Sequence, residues 1–167
     1  AAHWAMGRAL WLRGTQDAAV VELEHAIELS PNFALGHYTL AFVHSQAGDP
    51  SAALDYSDHS RHLSPFDPLL FGMLGSRAMA LVRLGRLDEA AEWGMRAAAR
   101  PNAHAHIQAI AAYSLALAGR LEEARRHEQR IRSINPDYRF EDFLTAMQIA
   151  PEGAARFREG ARLLAAA

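Results

Sequence analysis

The sequence contains no cysteine and no lysine. Without cysteine, disulfides, thiol nucleophiles and cysteine-based zinc sites are excluded. Without lysine, a phosphate-loop lysine, Schiff-base chemistry and a kinase-type lysine are excluded together. All 17 basic residues are arginine, and this arginine-only, alanine-rich usage fits a GC-rich bacterial genome. Long apolar runs are also missing. The longest, Ala109 to Ala118, is far too short to cross a bilayer. No signal peptide is visible, so a cytoplasmic protein without membrane contact is expected. A net charge of −2 leaves no basic surplus for direct nucleic-acid binding. No strand-like alternation and no convergent acid, base and nucleophile can be found, so a non-catalytic, all-α chain without cofactor or bound metal is expected.

What is present is a spacing. Gly14, Gly48, Gly85 and Gly119 follow one another at intervals of 34, 37 and 34 residues. Seven residues before each stands Gly7, Ala41, Ala78 or Ala112, and five after each stands Ala19, Ala53, Ala90 or Ala124. Near the end of each block stands Pro31, Pro65, Pro101 or Pro136. A period in the thirties with a turn glycine and two small contact residues describes stacked helix pairs. The spacing predicts helices over 1–13, 17–29, 33–46, 50–63, 68–84, 87–100, 103–118 and 121–133, then a terminal pair over 139–149 and 151–165. Residues 1–137 would form four pairs and 138–167 a closing pair.

Boundary residues agree with this reading. The four glycines fall where a left-handed C-terminal cap is needed. Asp49-Pro50 and Asp67-Pro68 read as N-cap followed by proline at the first helical position. Pro31-Asn32, Pro101-Asn102 and Pro136-Asp137 each stop a helix and offer a capping side chain to the next. The small residues predict close approach of the two helices in a pair. Two positions depart from the frame: Ser57, Gly94 and Glu128 stand where block one has Leu23, and Ser60 and Ile131 stand where it has Ala26, so blocks two and four are expected to pack loosely.

This frame resembles the tetratricopeptide repeat, most clearly from Gly14 to Pro31 and in Gly85-Arg86-Leu87-Asp88-Glu89-Ala90-Ala91. The resemblance implies a right-handed superhelical solenoid whose first helices line a concave groove. A narrower likeness rests on Ser64-Pro65-Phe66-Asp67-Pro68-Leu69-Leu70, Trp93, Arg100-Pro101-Asn102 and the tail from Phe140 to Leu163. These segments look like the C-terminal repeat region of bacterial regulators that carry a class III nucleotide cyclase or winged-helix domain upstream. The resemblance implies that this chain is the C-terminal part of such a signalling or transcription-regulating protein, with upstream segments preceding Ala1.

Within the repeat frame, Trp4, Arg8, Trp11, Tyr38, Phe42, Met79 and Tyr113 fall on the groove-facing rows. Trp, Tyr and Arg dominate binding energy at interfaces, and an aromatic surface of this kind marks a binding or assembly site. The expected partner is a protein or peptide segment, in cis or in trans, or a second copy of the chain. The alternatives for the same residues are cover by another segment of the protein's own chain and ordinary interhelical core. Asp55, His59 and His62 share one helical face and invite a metal reading, against which stands a solvated helix surface. Arg125, Arg126, Arg130 and Arg132 invite an anion reading, but the interleaved Glu122, Glu123 and Glu128 favour pairing along a solvated face.

Overall fold

The computed structural model describes all 167 residues, as ten α-helices and no strand. They are α1 (Ala2–Leu12), α2 (Gln16–Leu29), α3 (Ala34–Gln46), α4 (Pro50–Leu63), α5 (Leu70–Arg83), α6 (Leu87–Ala98), α7 (Ala105–Leu117), α8 (Leu121–Ile134), α9 (Phe140–Met147) and α10 (Pro151–Ala166). The first eight form four successive antiparallel-type pairs, each packed on the next. No helix is long and apolar enough to cross a membrane.

Small residues set the packing. Ala19, Ala41, Ala53, Ala78, Ala90, Ala112 and Ala124 are completely buried, and Gly7 is buried with them. A Cβ on Gly7 would lie 2.6 Å from Leu23 Cγ and 3.0 Å from the Ala19 carbonyl oxygen, so α1 and α2 meet at a distance only glycine allows. The departures expected to loosen blocks two and four do not loosen them. Ser57 is fully buried and its hydroxyl donates to the Met73 carbonyl at 2.8 Å. Gly94 lets the α7 backbone approach, since its Cβ would sit 3.0 Å from Ala111 Cα. Ile131 is buried in the main core. A hydrogen bond or a closer backbone replaces the missing side-chain volume.

Three of the four turn glycines adopt the left-handed cap, at φ of 78° (Gly14), 76° (Gly85) and 77° (Gly119). In each, the next N–H reaches back to an earlier carbonyl, as Thr15 does to Leu10 at 3.0 Å. Gly48 does not. There the Asp49 N–H donates to His44 Nδ1 at 3.2 Å, so an imidazole substitutes for a carbonyl. Asp49 caps α4 through the Ser51 N–H at 2.8 Å, with Pro50 at the first position, as expected. Asp67-Pro68 instead forms a turn: Asp67 accepts from Ser64 Oγ and the Leu69 N–H, and α5 starts only at Leu70. Asn32, Asn102 and Asp137 cap nothing; the N-cap residues are Phe33, His104 and Arg139.

The last two helices do not stack on the array as a fifth pair. They fold back over the first helices, α10 packing mainly on α7 and also on α5. Phe140 and Phe143 meet Tyr113 edge-on at 5.4 and 5.3 Å, and Phe157 packs on Phe143 at 5.1 Å. Gly160 lies on α7 so closely that a Cβ would stand 2.7 Å from the Tyr113 carbonyl oxygen. The link between α9 and α10 reaches α3, where the Ala150 N–H donates to the Gln46 carbonyl at 2.9 Å.

Two overpacking changes check this arrangement. Ala53→Leu and Gly160→Ala should each cost about 1–3 kcal/mol in thermal or urea unfolding. Glu159→Ala, an exposed neighbour in an exposed ion pair, should leave the transition unchanged within error. An unchanged melt for Gly160→Ala would mean that α10 does not lie on α7.

Candidate functional site

A cavity of about 260 Å³ opens on the side formed by the first helices. Arg8 and Trp11 come from α1, Tyr38 and Phe42 from α3, and Met79 from α5, so five of the seven sequence-predicted residues line it. Trp11 is 7% exposed; its indole N–H donates to Gln46 Oε1 at 2.6 Å, and its ring meets Phe42 edge-on at 5.2 Å. Tyr38 lies against α5 because Gly72 has no side chain: a Cβ there would be 2.1 Å from the Tyr38 hydroxyl. Burial pushes the Tyr38 phenol up to about 12, against the opposing field of Arg8, so it stays protonated as a donor. The Arg8 guanidinium sits between the Trp4 and Trp11 rings, 5.9 and 5.8 Å from their centroids, and has no carboxylate partner.

The other two predicted residues lie elsewhere. Trp4 donates its indole N–H to Thr39 Oγ1 at 2.9 Å and packs edge-on to Phe33, beyond the cavity. Tyr113 is buried beneath Phe140 and Phe143, so the chain's own tail covers it. Gly72, Gly75, Ser76 and Ile110 complete the helical wall, and Phe71, Ile107, His104, His106 and, from α9, Ala146 and Met147 were missed in the sequence. Phe71 and Ile107 stand four and two residues before the first row position of their blocks, Gly75 and Ala109, and Met147 lies outside the frame altogether. His106 Nδ1 stands 2.7 Å from the Tyr138 hydroxyl, and His104 packs on Phe71.

The suspected metal trio is not assembled. Asp55 and His59 are exposed, His59 packs on His37, and His62 Nδ1 lies 2.8 Å from the Asp58 carbonyl. The ligand atoms that do converge belong to His3, Glu22 and His25, within 4.8 Å of one another, with His3 Nδ1 and Glu22 paired at 2.7 Å. Arg125, Arg126, Arg130 and Arg132 are exposed, and Arg132 pairs with Glu128.

The fold defines the class: this is a helix-pair array of the tetratricopeptide type. It is similar to the solved structure of MamA from AMB-1, with a TM-score of 0.65 and 21% identity over 81% of this chain and 79% of that one. A thermophilic tetratricopeptide protein of Thermus thermophilus superposes with a TM-score of 0.68 and 19% identity, over 96% of this chain and 89% of that one. A MamA RS-1 double mutant gives 0.68 and 15%, over 98% and 93%. No family model and no curated protein matches the sequence.

Histidines around these helices give the fold a pH dependence. Burial lowers the pKa of His37, His44, His104, His106 and His127. Each is therefore neutral in the fold where the unfolded chain already binds a proton. Their contribution is full above about pH 6.5 and is lost as pH falls toward the depressed native values. Melting temperature should thus decline on acidification below about 6.5, before carboxylates titrate near about 4. A melting temperature constant across that window would show that these histidines are not held neutral.

Proposed function

We propose that the chain is a non-catalytic protein-interaction and regulatory module whose groove receives apolar or aromatic side chains of a protein segment. The observation that carries this reading is the aromatic cavity with an unpaired arginine at its edge. Its volume of about 260 Å³ lies below the range of about 300–1,000 Å³ typical of small-molecule sites. It suits one or two side chains. Arg8 supplies a cation for a neighbouring carboxylate or for stacking. The likeness to tetratricopeptide arrays supports the same reading. We place the module in a larger bacterial signalling or transcription-regulating protein, acting in the cytoplasm through a segment supplied in cis or in trans.

A second reading, self-association, draws on α1, where Met6 and Leu12 are 54% and 64% exposed. Here the outer face of α1 would pair with a second copy and bring upstream domains together. Light scattering separates the two: a stable dimer lost in Met6→Glu with Leu12→Glu favours self-association.

Peptides selected against the chain from a displayed random library should converge on an aromatic or large aliphatic residue close to a carboxylate. Tyr38→Ala with Phe42→Ala should weaken the selected peptide by about tenfold or more while helical content is retained. Failure to converge, or unchanged affinity in the double variant, would overturn the groove as a recognition site.

A further inference from the structure

On the opposite side of α5 from the groove, the ring of Trp93 gathers three guanidinium groups. The Cζ atoms of Arg61, Arg77 and Arg96 lie 4.7, 4.6 and 4.7 Å from its centroid. They come from α4, α5 and α6 and are brought together only by the fold. Beside them opens a cavity of about 240 Å³, lined by Arg61, Arg96, Arg100, Trp93, Leu70 and Leu74. One carboxylate answers these charges: Asp58, which pairs with Arg77 Nη1 at 2.8 Å and also with Arg61. Of the acids on α6, Glu89 is bonded to Arg86 at 2.7 Å and also lies in the field of Arg77, while Glu92, beside Trp93, pairs with Arg120. Asp67, in the loop that also borders Arg100, is occupied by Ser64 and the Leu69 N–H.

Like charges this close repel strongly in a partly dry site. Arg96 and Arg100 pair with no carboxylate, as do Arg8 and the exposed Arg125, Arg126 and Arg130. The Trp93 ring offsets part of the repulsion through cation–π attraction, and Asp58 offsets one charge. The Nε atoms of Arg61 and Arg77 remain buried without a partner. Four arginines against one bound carboxylate leave a surplus that a compact dianion would neutralise. Arginine forks match phosphate oxygens two at a time. The leucine wall adds a place for the organic body that carries the phosphate.

We propose that this cavity binds a phosphomonoester. Arg96 and Arg100 would hold its oxygens, Arg61 and Arg77 would supply field from behind, and Leu70 and Leu74 would pack the attached group. Two sources share this chemistry, a free phosphorylated small molecule and a phosphorylated protein side chain.

The test is calorimetric titration of the whole chain, at constant ionic strength, with phenyl phosphate and with a phosphoserine peptide beside its unphosphorylated form. Saturable binding of phenyl phosphate supports the site and assigns a small molecule. Binding of the phosphopeptide alone supports it and assigns a phosphoprotein segment. Arg96→Gln with Arg100→Gln, two exposed residues whose loss leaves the core intact, should weaken binding by about tenfold or more. Asp58→Asn should tighten it, because it removes the competing carboxylate; a purely structural cluster would not change in that direction. If neither probe binds, or if binding ignores both sets of substitutions, the proposal is overturned.

Discussion

Arg83 decides the shape of the groove side. Its side chain is 6% exposed, and its guanidinium donates to the His44 carbonyl at 2.8 Å while also meeting Glu152 at 2.6 Å. One end closes the C-terminus of α3, where carbonyls lack helical partners and a cation is favoured. The other holds the start of α10. Burial opposes ionisation of Glu152, but the hydrogen bond and charge of Arg83 and the backbone N–H groups of Glu152 and Gly153 together keep the carboxyl below its usual range. The Ala150 N–H adds a backbone bond to Gln46, whose side chain in turn receives the Trp11 indole. A continuous set of bonds therefore runs from the tail through α3 to α1. It adds polar fixation to the apolar packing of Phe143, Met147 and Phe157 that holds the tail on the main core.

The same region explains an unequal core. Twenty-two buried residues form one apolar cluster under α5 to α10, whereas only five, among them Trp11, Leu23 and Leu40, form the cluster under α1 to α3. Between them the second pair buries His37, Thr39, Ser45, Gln46, Ser57 and Ser60. Most of these side chains have a partner, such as Thr39 Oγ1 on the Leu35 carbonyl and Ser60 Oγ on the Ser57 carbonyl. Such bonds contribute about 0.5–1.5 kcal/mol each, less than an apolar side chain of similar size. What they add is register, since an unmatched buried donor costs more than a made bond returns. The seam thus fixes how the first two pairs meet the rest, and Phe42, packed against both clusters, bridges it.

The helix pairs were legible because small residues recur wherever two helices touch, and that requirement is local to each block. Gly14, Gly85 and Gly119 announced their turns for the same reason. Gly48 misled because His44, four residues earlier, can replace the carbonyl that a left-handed glycine would have engaged. The fold-back of the tail was not legible. Phe140, Phe143, Leu144 and Met147 recur at helical spacing, and that spacing alone does not say which surface receives them. Tyr113 was expected on the groove row, and the chain's own tail covers it there. Phe71 and Ile107 were missed because the wall extends toward the N-terminal ends of α5 and α7, before the first row position of each block. The arginines around Trp93 were invisible for a different reason: Arg61, Arg77 and Arg96 have no common sequence period and meet only through the packing of α4, α5 and α6.

Helix α5 is the wall common to both cavities, and its sequence shows how one helix can serve two. Phe71, Gly72, Gly75, Ser76 and Met79 recur at three- and four-residue steps and border the aromatic groove. Leu70 and Leu74 follow the same steps on another stripe and border the arginine cavity, with Arg77 next along that stripe against Trp93. The groove stripe needs glycine, because Tyr38 and Ile107 come close enough that larger side chains would collide. The outer stripe needs length, because its leucines and arginine must reach Trp93. Nearly the whole helix is buried between the two, which explains why it carries so few charges and why its two arginines, Arg77 and Arg83, both act as connectors to neighbouring helices.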